Sequence, residues 1–271
     1  MSPRSIVIVA IAIFALLLWL TLAAYEVGLL TFGRTVVQEA RYVEPIGNVS
    51  AIVVHADIGN VVFMRGPRPE VCVDVNITAN GIVVNPPHVN VSFAREGDTL
   101  VVEVKSESHK PDVVFGSTHV NVTVFAVIPD YVKVVNVCDG AGSVKLYGAS
   151  LEEIGVQTSA GEIRLVNVSA NTANLTDEAG NIRITGGNFT TLDLVAKAGS
   201  VKVSNASVGS LGIVDKAGNV KVSQVNVSDA VIEDNAGDIG LSNVLGDVNA
   251  TAKAGNIEVY LGVKYNVVYY L

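Results

Sequence analysis

The sequence predicts an all-β fold: one transmembrane helix followed by a right-handed parallel β-solenoid with coils of about 19 residues. Three observations lead to it. The dipeptide Ala-Gly recurs at a nearly constant spacing, apolar residues alternate at fixed distances from it, and an uncharged apolar run precedes the repeats. A fixed period of this size is typical of solenoids, in which each repeat forms one coil stacked on the last. The right hand follows the rule for parallel crossovers.

The N-terminal segment is the first predicted element. Residues 6–24 are mostly apolar and carry no charge. As an α-helix this run is about 28 Å long, close to the hydrocarbon thickness of a bilayer. Arg4 precedes it and the next basic residue is Arg34, so the N-terminus is predicted to be cytoplasmic and the rest extracellular. We expect a single-pass signal anchor in the cell membrane over residues 1–24; a cleaved signal peptide is the alternative.

The middle of the chain is predicted to lead into the repeats. Residues 25–45 read as a stalk, and residues 46–138 as the irregular first half of the solenoid, with alternating strands but longer loops. Gly59, followed by Val61 and Phe63, repeats the pattern of an Ala-Gly corner and its strand. A separate β-sandwich is the alternative for this region.

Residues 139–271 are predicted to form the regular solenoid, with seven repeats. We number the alanine of each Ala-Gly as position 1; these alanines are Ala141, Ala160, Ala179, Ala198, Ala217, Ala236 and Ala254. Positions 4 and 6, and again 14 and 16, are apolar, the period of two of a strand with one buried face. Each coil therefore holds two short strands and two corners. The glycine at position 2 is expected to have φ > 0, which only glycine adopts cheaply.

Composition and motifs argue against several functions. The net charge of −8 disfavours nucleic acid as a partner. The chain has no nucleophile elbow, Walker loop, dinucleotide fingerprint or zinc-protease motif, so we expect no enzyme, cofactor or metal. Aspartates recur near a corner at position 18: Asp139, Asp177, Asp215 and Asp234. They suit turns, and the Ca²⁺-binding nonapeptide of some solenoids is absent. A carbohydrate-active β-helix enzyme would need a carboxylate cleft that this register does not provide.

The most uneven distribution of charge is found at position 5. It holds five consecutive cations, Lys145, Arg164, Arg183, Lys202 and Lys221. Stacked one sheet spacing apart, they would form a column about 19 Å long. One interpretation is a binding site for an anionic polymer, such as an acidic cell-surface glycan. The other is a solvated face whose charges pair with Glu162, Asp193 or Glu233.

The sequence contains ten N-x-S/T sequons: Asn48, Asn76, Asn90, Asn121, Asn167, Asn174, Asn188, Asn205, Asn226 and Asn249. Such density predicts an exported glycoprotein. Outward or loop positions make Asn174, Asn188, Asn226 and Asn249 the expected glycosylation sites. Asn167 and Asn205 share position 8 with Gln224 and Asn243, where a stacked amide ladder would hide them.

Two further features concern bonding and assembly. Cys72 and Cys138 are expected to face away from the core, and whether they form a disulfide stays open. The terminal run 265–271 is uncharged and rich in β-formers. It is expected either to fold over the last coil as a lid or to pair with another subunit, giving end-to-end self-association.

The order of motifs carries a family resemblance. The runs GDTLVVEV and HVNVTVFAVIPDYVKVVNV, followed by the serial units AGSVKL, AGEIRL and AGNIRI, resemble the putative-adhesin β-solenoid family of bacteria and archaea over about residues 46–261. The resemblance implies a membrane-tethered or secreted solenoid without known catalytic residues. The expected function is a cell-surface adhesin-like or structural binding protein. The alternative is an envelope-associated regulatory or sensing protein.

Overall fold

The computed structural model describes residues 16–20, 23, 30–31, 34–84, 87–107 and 112–260. Within these ranges, no helix is long and apolar enough to cross a membrane. Most of the predicted anchor and the whole terminal run 265–271 lie outside them.

Twenty strands follow one another within the described residues. They are β1 (Leu30–Thr31), β2 (Arg34–Pro45), β3 (Ala51–Ala56), β4 (Asn60–Arg65), β5 (Glu70–Val84), β6 (His88–Glu96), β7 (Thr99–Glu107), β8 (Asp112–Ile128), β9 (Val134–Asp139), β10 (Val144–Tyr147), β11 (Ser150–Thr158), β12 (Gly161–Val166), β13 (Ser169–Asp177), β14 (Gly180–Thr185), β15 (Asn188–Ala196), β16 (Val201–Ser204), β17 (Ser207–Asp215), β18 (Val220–Asp234), β19 (Ile239–Ala252) and β20 (Ile257–Tyr260).

The chain divides into two compact units. The first combines the segments 1–41, 74–90 and 106–121. Within it β1 pairs antiparallel with β5, and the side-chain amide of Gln38 exchanges two hydrogen bonds, 3.1 and 3.2 Å long, with the main chain of Val89.

Among the described residues, the second unit combines 42–73, 91–105 and 122–260, and it is a parallel β-solenoid. In its first sheet, Val144 of β10 lies opposite Val61 of β4 on one side and Ile163 of β12 on the other. This confirms that Gly59 and its strand repeat the Ala-Gly pattern. In the second sheet, β11 lies between β9 and β13. Strands β18 and β19 each run through both sheets, and they pair with each other in both: β18 also pairs with β16 in the first sheet and with β17 in the second.

The core of the solenoid is built from columns of identical positions. The predicted apolar columns at positions 4, 6, 14 and 16 are buried in nearly every coil, as at Ile163, Leu165, Leu192 and Leu194. Positions 9 and 11 add two more buried columns, which the strand pattern of the sequence did not single out. They comprise Ala149, Val168, Ala206, Val225 and Val244, and Leu151, Ala170, Phe189, Val208 and Val227.

The Ala-Gly column lies at a corner where successive coils touch backbone to backbone. A Cβ atom placed on Gly199 would lie 1.7 Å from the carbonyl oxygen of Gly180, and the corresponding distance is 1.4–1.8 Å at all seven glycines. The expected positive φ is found at five of them, at 136–159°, but not at Gly180 or Gly218. Close approach of the coils is therefore the requirement that all seven share.

The cysteines form no disulfide in this structure. Cys138 is exposed, as expected, but Cys72 is buried, so the prediction that both face away from the core is wrong for Cys72. The reason is that β5 is covered on both faces here: Val71 and Val73, on the opposite face of the strand, are also buried.

Candidate functional site

The five position-5 cations stand side by side on the first sheet. Lys145 is opposite Arg164, which is opposite Arg183, and the register continues to Lys202 and Lys221. We call these five residues the basic column. The residues in register at its two ends are uncharged: Val62 in β4 lies opposite Lys145, and Gly240 in β19 lies opposite Lys221. At one strand spacing per coil it is about 19 Å long.

The members of the basic column differ in exposure. Arg183, Lys202 and Lys221 are exposed, whereas Lys145 and Arg164 are half-buried. The Nε of Arg164 is buried and has no hydrogen-bond partner among the described residues. Odd positions of these strands point outward, so the positively charged groups share one face.

One carboxylate reaches the basic column. Glu162 Oε1 lies 3.7 Å from Arg183 Nε, between side chains that are 28% and 45% exposed. Among the residues that the structure describes, the other four cations have no carboxylate within ion-pair distance. Asp193 and Glu233 lie in the second-sheet strands β15 and β18, in register with Asn174 and Val214, and not beside the column. The positive charge of the column is therefore mostly unneutralised, because a partly exposed ion pair such as Arg183–Glu162 contributes little to stability.

Beside the column, at position 3, lie side chains that accept hydrogen bonds from backbone N–H groups of the next coil. At position 3, Asn181 Oδ1 accepts the N–H of Ser200 at 2.9 Å, and Asn219 Oδ1 accepts the N–H of Asp238 at 2.9 Å. These amides link one coil to the next without adding negative charge. Position 3 is not wholly neutral, however, since it also holds Glu162, which lies near Arg183, and Asp238, whose Oδ1 accepts the N–H of Asn256 at 2.8 Å.

Position 8 is the second corner of each coil. Its residues have φ values of 52–73°, the left-handed region: Gly148, Asn167, Gly186, Asn205, Gln224 and Asn243. Asparagine and glycine are the residues that adopt this conformation most readily, which accounts for the column without an amide ladder. Asn167 and Asn205 are exposed, so the prediction that they are hidden there is wrong.

The expected glycosylation sites are all accessible. Asn174, Asn188, Asn226 and Asn249 have exposed side chains. Exposure alone does not separate them from Asn167 and Asn205, because all six asparagines are open to solvent.

The position-18 aspartates turn inward. Asp139, Asp177, Asp215 and Asp234 are only 0–2% exposed. In the last three, Oδ1 accepts the N–H of the alanine two residues on, at 3.0–3.2 Å, while Oδ2 is buried and has no hydrogen-bond partner among the described residues. The turn role expected from the sequence is present, but the burial was missed. A signal existed, since Thr158 and Ala196 share the column and are small.

Burial changes the acidity of these aspartates. It raises the pKa of Asp139 to about 6. Burial, and next the charge of Asp234 one coil away, raise the pKa of Asp215 to about 6. Burial likewise raises the pKa of Asp177 and of Asp234. Within the described residues, no three His, Cys, Asp or Glu side chains are grouped so that they could hold a metal ion.

The chain matches one protein family by sequence, and its fold is similar to several solved structures. The sequence model of the family described as Toastrack DUF4097 matches residues 49–216 and again 188–262. A putative adhesin from Bacteroides fragilis is similar, with 12% identity, coverage of 82% of this chain and 97% of that chain, and a TM-score of 0.50. At this identity the likeness shows the fold alone.

Two further solved structures are similar at lower scores. A putative adhesin from Parabacteroides merdae has 12% identity and a TM-score of 0.42, with 84% of this chain and 98% of that chain covered. A putative lipid binding protein from Parabacteroides distasonis has 10% identity and a TM-score of 0.38, with 86% and 97% covered. No curated protein matches the chain.

Proposed function

Because the chain belongs to the Toastrack DUF4097 family, we propose that it is a cell-surface, adhesin-like binding protein whose basic column binds an anionic polymer. The proposed ligand is an acidic glycan carrying carboxylate or sulfate groups at intervals. The solenoid supplies the scaffold, because it repeats the same outward position once per coil at about 4.8 Å.

The observation that carries this proposal is the in-register stack of five cations with one carboxylate in reach. Like charges directly opposite each other on neighbouring strands are destabilising. A chain with a net charge of −8 has many acidic residues, yet among the described residues Glu162 alone lies within ion-pair distance of these cations. A polyanion lying along the column would supply the missing negative charge. It would contact several coils at once, so its binding free energy would be the sum of several weak contacts.

The location of the protein is part of the same proposal. The uncharged run over residues 6–24 supports a single-pass anchor with the solenoid outside the cell. The sequons support glycosylation at Asn174, Asn188, Asn226 and Asn249, whose exposed side chains leave them open to modification. End-to-end association through residues 265–271 belongs to the same expectation.

The proposal is tested by reversing charge within the column. The variant Arg164→Glu, Arg183→Glu, Lys202→Glu is expected to lose binding to heparin and to polygalacturonate, while its circular dichroism and melting temperature stay close to those of the parent. Binding by the parent should weaken steeply with added salt, since exposed charges are screened over about 8–10 Å.

A matched control separates the column from bulk charge. Lys133, Lys216 and Lys253 are exposed and lie outside the basic column. Reversing these three to glutamate changes the net charge by the same amount and should leave most of the binding intact. Equal loss in both triple variants, or binding that ignores salt, would overturn the assignment of the column.

A further inference from the structure

A groove of about 520 Å³ crosses the surface of the solenoid where the long strands of successive coils begin. It spans five coils, from Ser150 to Ser228, and none of the residues that line it is charged. Its sides are the outward residues of positions 10 and 12, which are mostly serine, threonine and asparagine. Its floor is position 11, whose apolar side chains point into the core and are only 4–6% exposed.

Two sequons lie across this groove. In Asn188-Phe189-Thr190 the asparagine stands at position 10 and the threonine at position 12, with Phe189 in the floor between them. Asn226-Val227-Ser228 repeats this arrangement two coils away, about 10 Å along the solenoid. Both asparagine side chains are exposed, so each can carry a glycan into the groove.

The coil between the two sequons leaves the groove open. It contributes Ser207 at position 10 and Gly209 at position 12. A Cβ atom on Gly209 would lie 2.5 Å from the carbonyl oxygen of Thr190, so the close strands hold this position as glycine. The side wall therefore has a gap between Thr190 and Ser228, next to both asparagines.

We propose that this groove holds the first sugars of the glycans attached to Asn188 and Asn226, so that these two glycans are ordered along the solenoid. The groove offers neutral hydroxyl and amide groups at one-coil intervals, and a neutral sugar presents hydroxyls that donate to and accept from such groups. The glycan on Asn249, which does not line the groove, extends into solvent. This inference rests on the glycosylation included in the proposed function.

The main-chain N–H groups at position 10 of the groove already have partners, and that of Asn188 donates to Ser169 Oγ at 3.2 Å. Ser207 N donates to Gly187 O at 3.0 Å, and Asn226 N donates to Ala206 O at 3.0 Å. The sugars must therefore be held by the side chains of positions 10 and 12. Contacts of this kind give a modest net gain, of the order of one or two hydrogen bonds.

The test follows the removal of sugars from the folded glycoprotein, purified from a host that glycosylates it. Exoglycosidase trimming is monitored site by site by glycopeptide mass spectrometry. The glycans on Asn188 and Asn226 should be trimmed about tenfold more slowly than that on Asn249, the factor that corresponds to about 1.4 kcal/mol of contact. In the denatured protein the three rates should be equal.

A groove-blocking variant makes the test specific. Asn171 is exposed, lines the groove and follows Ala170, which pairs with Phe189 in the neighbouring strand. Asn171→Arg places a long side chain beside Thr190 without destroying a sequon, and it should raise the trimming rate at Asn188 to that at Asn249. The Asn249 glycan of the same molecule serves as the internal control.

Four results would overturn the inference. Equal trimming at Asn188, Asn226 and Asn249 in the folded protein would show that the groove holds no sugar. Slow trimming that persists in Asn171→Arg would place the protection elsewhere. Unmodified Asn188 and Asn226 in a protein glycosylated at Asn249 would refute this inference together with the glycosylation proposed at those two sites, whereas the absence of glycans at every site would refute the whole of the proposed glycosylation.

Discussion

The two corners of each coil use glycine for different reasons. At position 2 every residue is glycine, and a Cβ atom there would lie 1.4–1.8 Å from the carbonyl oxygen of the preceding coil. At position 8 glycines and amides share the column, because φ is 52–73° and no backbone atom blocks an added Cβ. Nothing lies within 4 Å of such a Cβ at Gly148, and at Gly186 the near contact, at 2.3 Å, is with the side-chain Oδ1 of Asn167. The first corner excludes a side chain, and the second selects a backbone conformation.

This difference explains why one column is invariant and the other is not. A left-handed φ costs a non-glycine residue about 1–2 kcal/mol, and asparagine less, so Asn167 and Asn205 are tolerated. A backbone contact at 1.7 Å cannot be relieved by a rotamer change, so at Gly199 the coil itself would have to move. Repetition of glycine in a sequence therefore has two physical meanings, which the period alone does not separate.

The first prediction compares alanine at the two corners. Gly199→Ala should destabilise the solenoid by about 4 kcal/mol or more, in the range reserved for severe steric conflict. Gly148→Ala should cost only about 1–2 kcal/mol, the strain of a left-handed alanine. Urea denaturation of both variants checks this. Similar losses would mean that dihedral angle, and not contact between coils, governs both corners.

Valine at position 199 should give a larger loss of stability than alanine. Gly199→Val adds β-branching to the same clash and should prevent stable folding of the repeats. Gly148→Asn, by contrast, should be close to neutral, because asparagine already occupies the equivalent position at Asn167. A folded Gly199→Val protein with parental melting temperature would contradict the close-packed corner.

A second prediction addresses the carboxylate behind the glycine corner. Asp215 Oδ2 would lie 2.9 Å from a Cβ on Gly218, which shows how tightly this side chain fills the corner. Its pKa is raised to about 6, above the value of about 3.9 of an unfolded aspartate. The stabilisation from this group is therefore complete below about pH 4 and is lost as the pH rises through 6.

Asp215→Asn removes that titration and keeps an oxygen that can accept the N–H of Ala217. The free energy of unfolding of the parent should fall between about pH 4 and pH 6 relative to the variant, by an amount of the order of 2–3 kcal/mol. Denaturation at a series of pH values measures the difference curve. A flat difference would show that the carboxyl does not change its protonation on folding over this range.

The smallest predicted effect concerns the backbone conformation at position 8. Gln224 has φ of 55°, and glutamine suits this region less well than asparagine or glycine. Gln224→Gly should therefore stabilise by up to about 1 kcal/mol. The exposed Gln157 lies within β11, so Gln157→Gly should destabilise by about 0.5–1 kcal/mol. Opposite signs at the two glutamines are the expected outcome in thermal unfolding.

The regular coils could be predicted because their signal is repeated. The Ala-Gly period sets the register, and the register alone brings Lys145 next to Arg164 and Arg183. The solenoid and the basic column were therefore both foreseen. The segment before the repeats has no such redundancy: β2 covers Arg34–Pro45, where a stalk was expected, and β6 was not anticipated. Single strands with ordinary alternation do not reveal which strand they pair with.

The sequence by itself determined the coil length, the parallel stacking and which residues share a column, because a period fixes neighbours whenever each repeat folds alike. Only the tertiary structure decided how close the coils come at each corner. That distance made position 2 a steric requirement and position 8 a conformational one, buried Asp177 and Asp215, and opened the groove beside Asn188. Clearance and burial depend on the whole coil, whereas register depends on the spacing of the repeat.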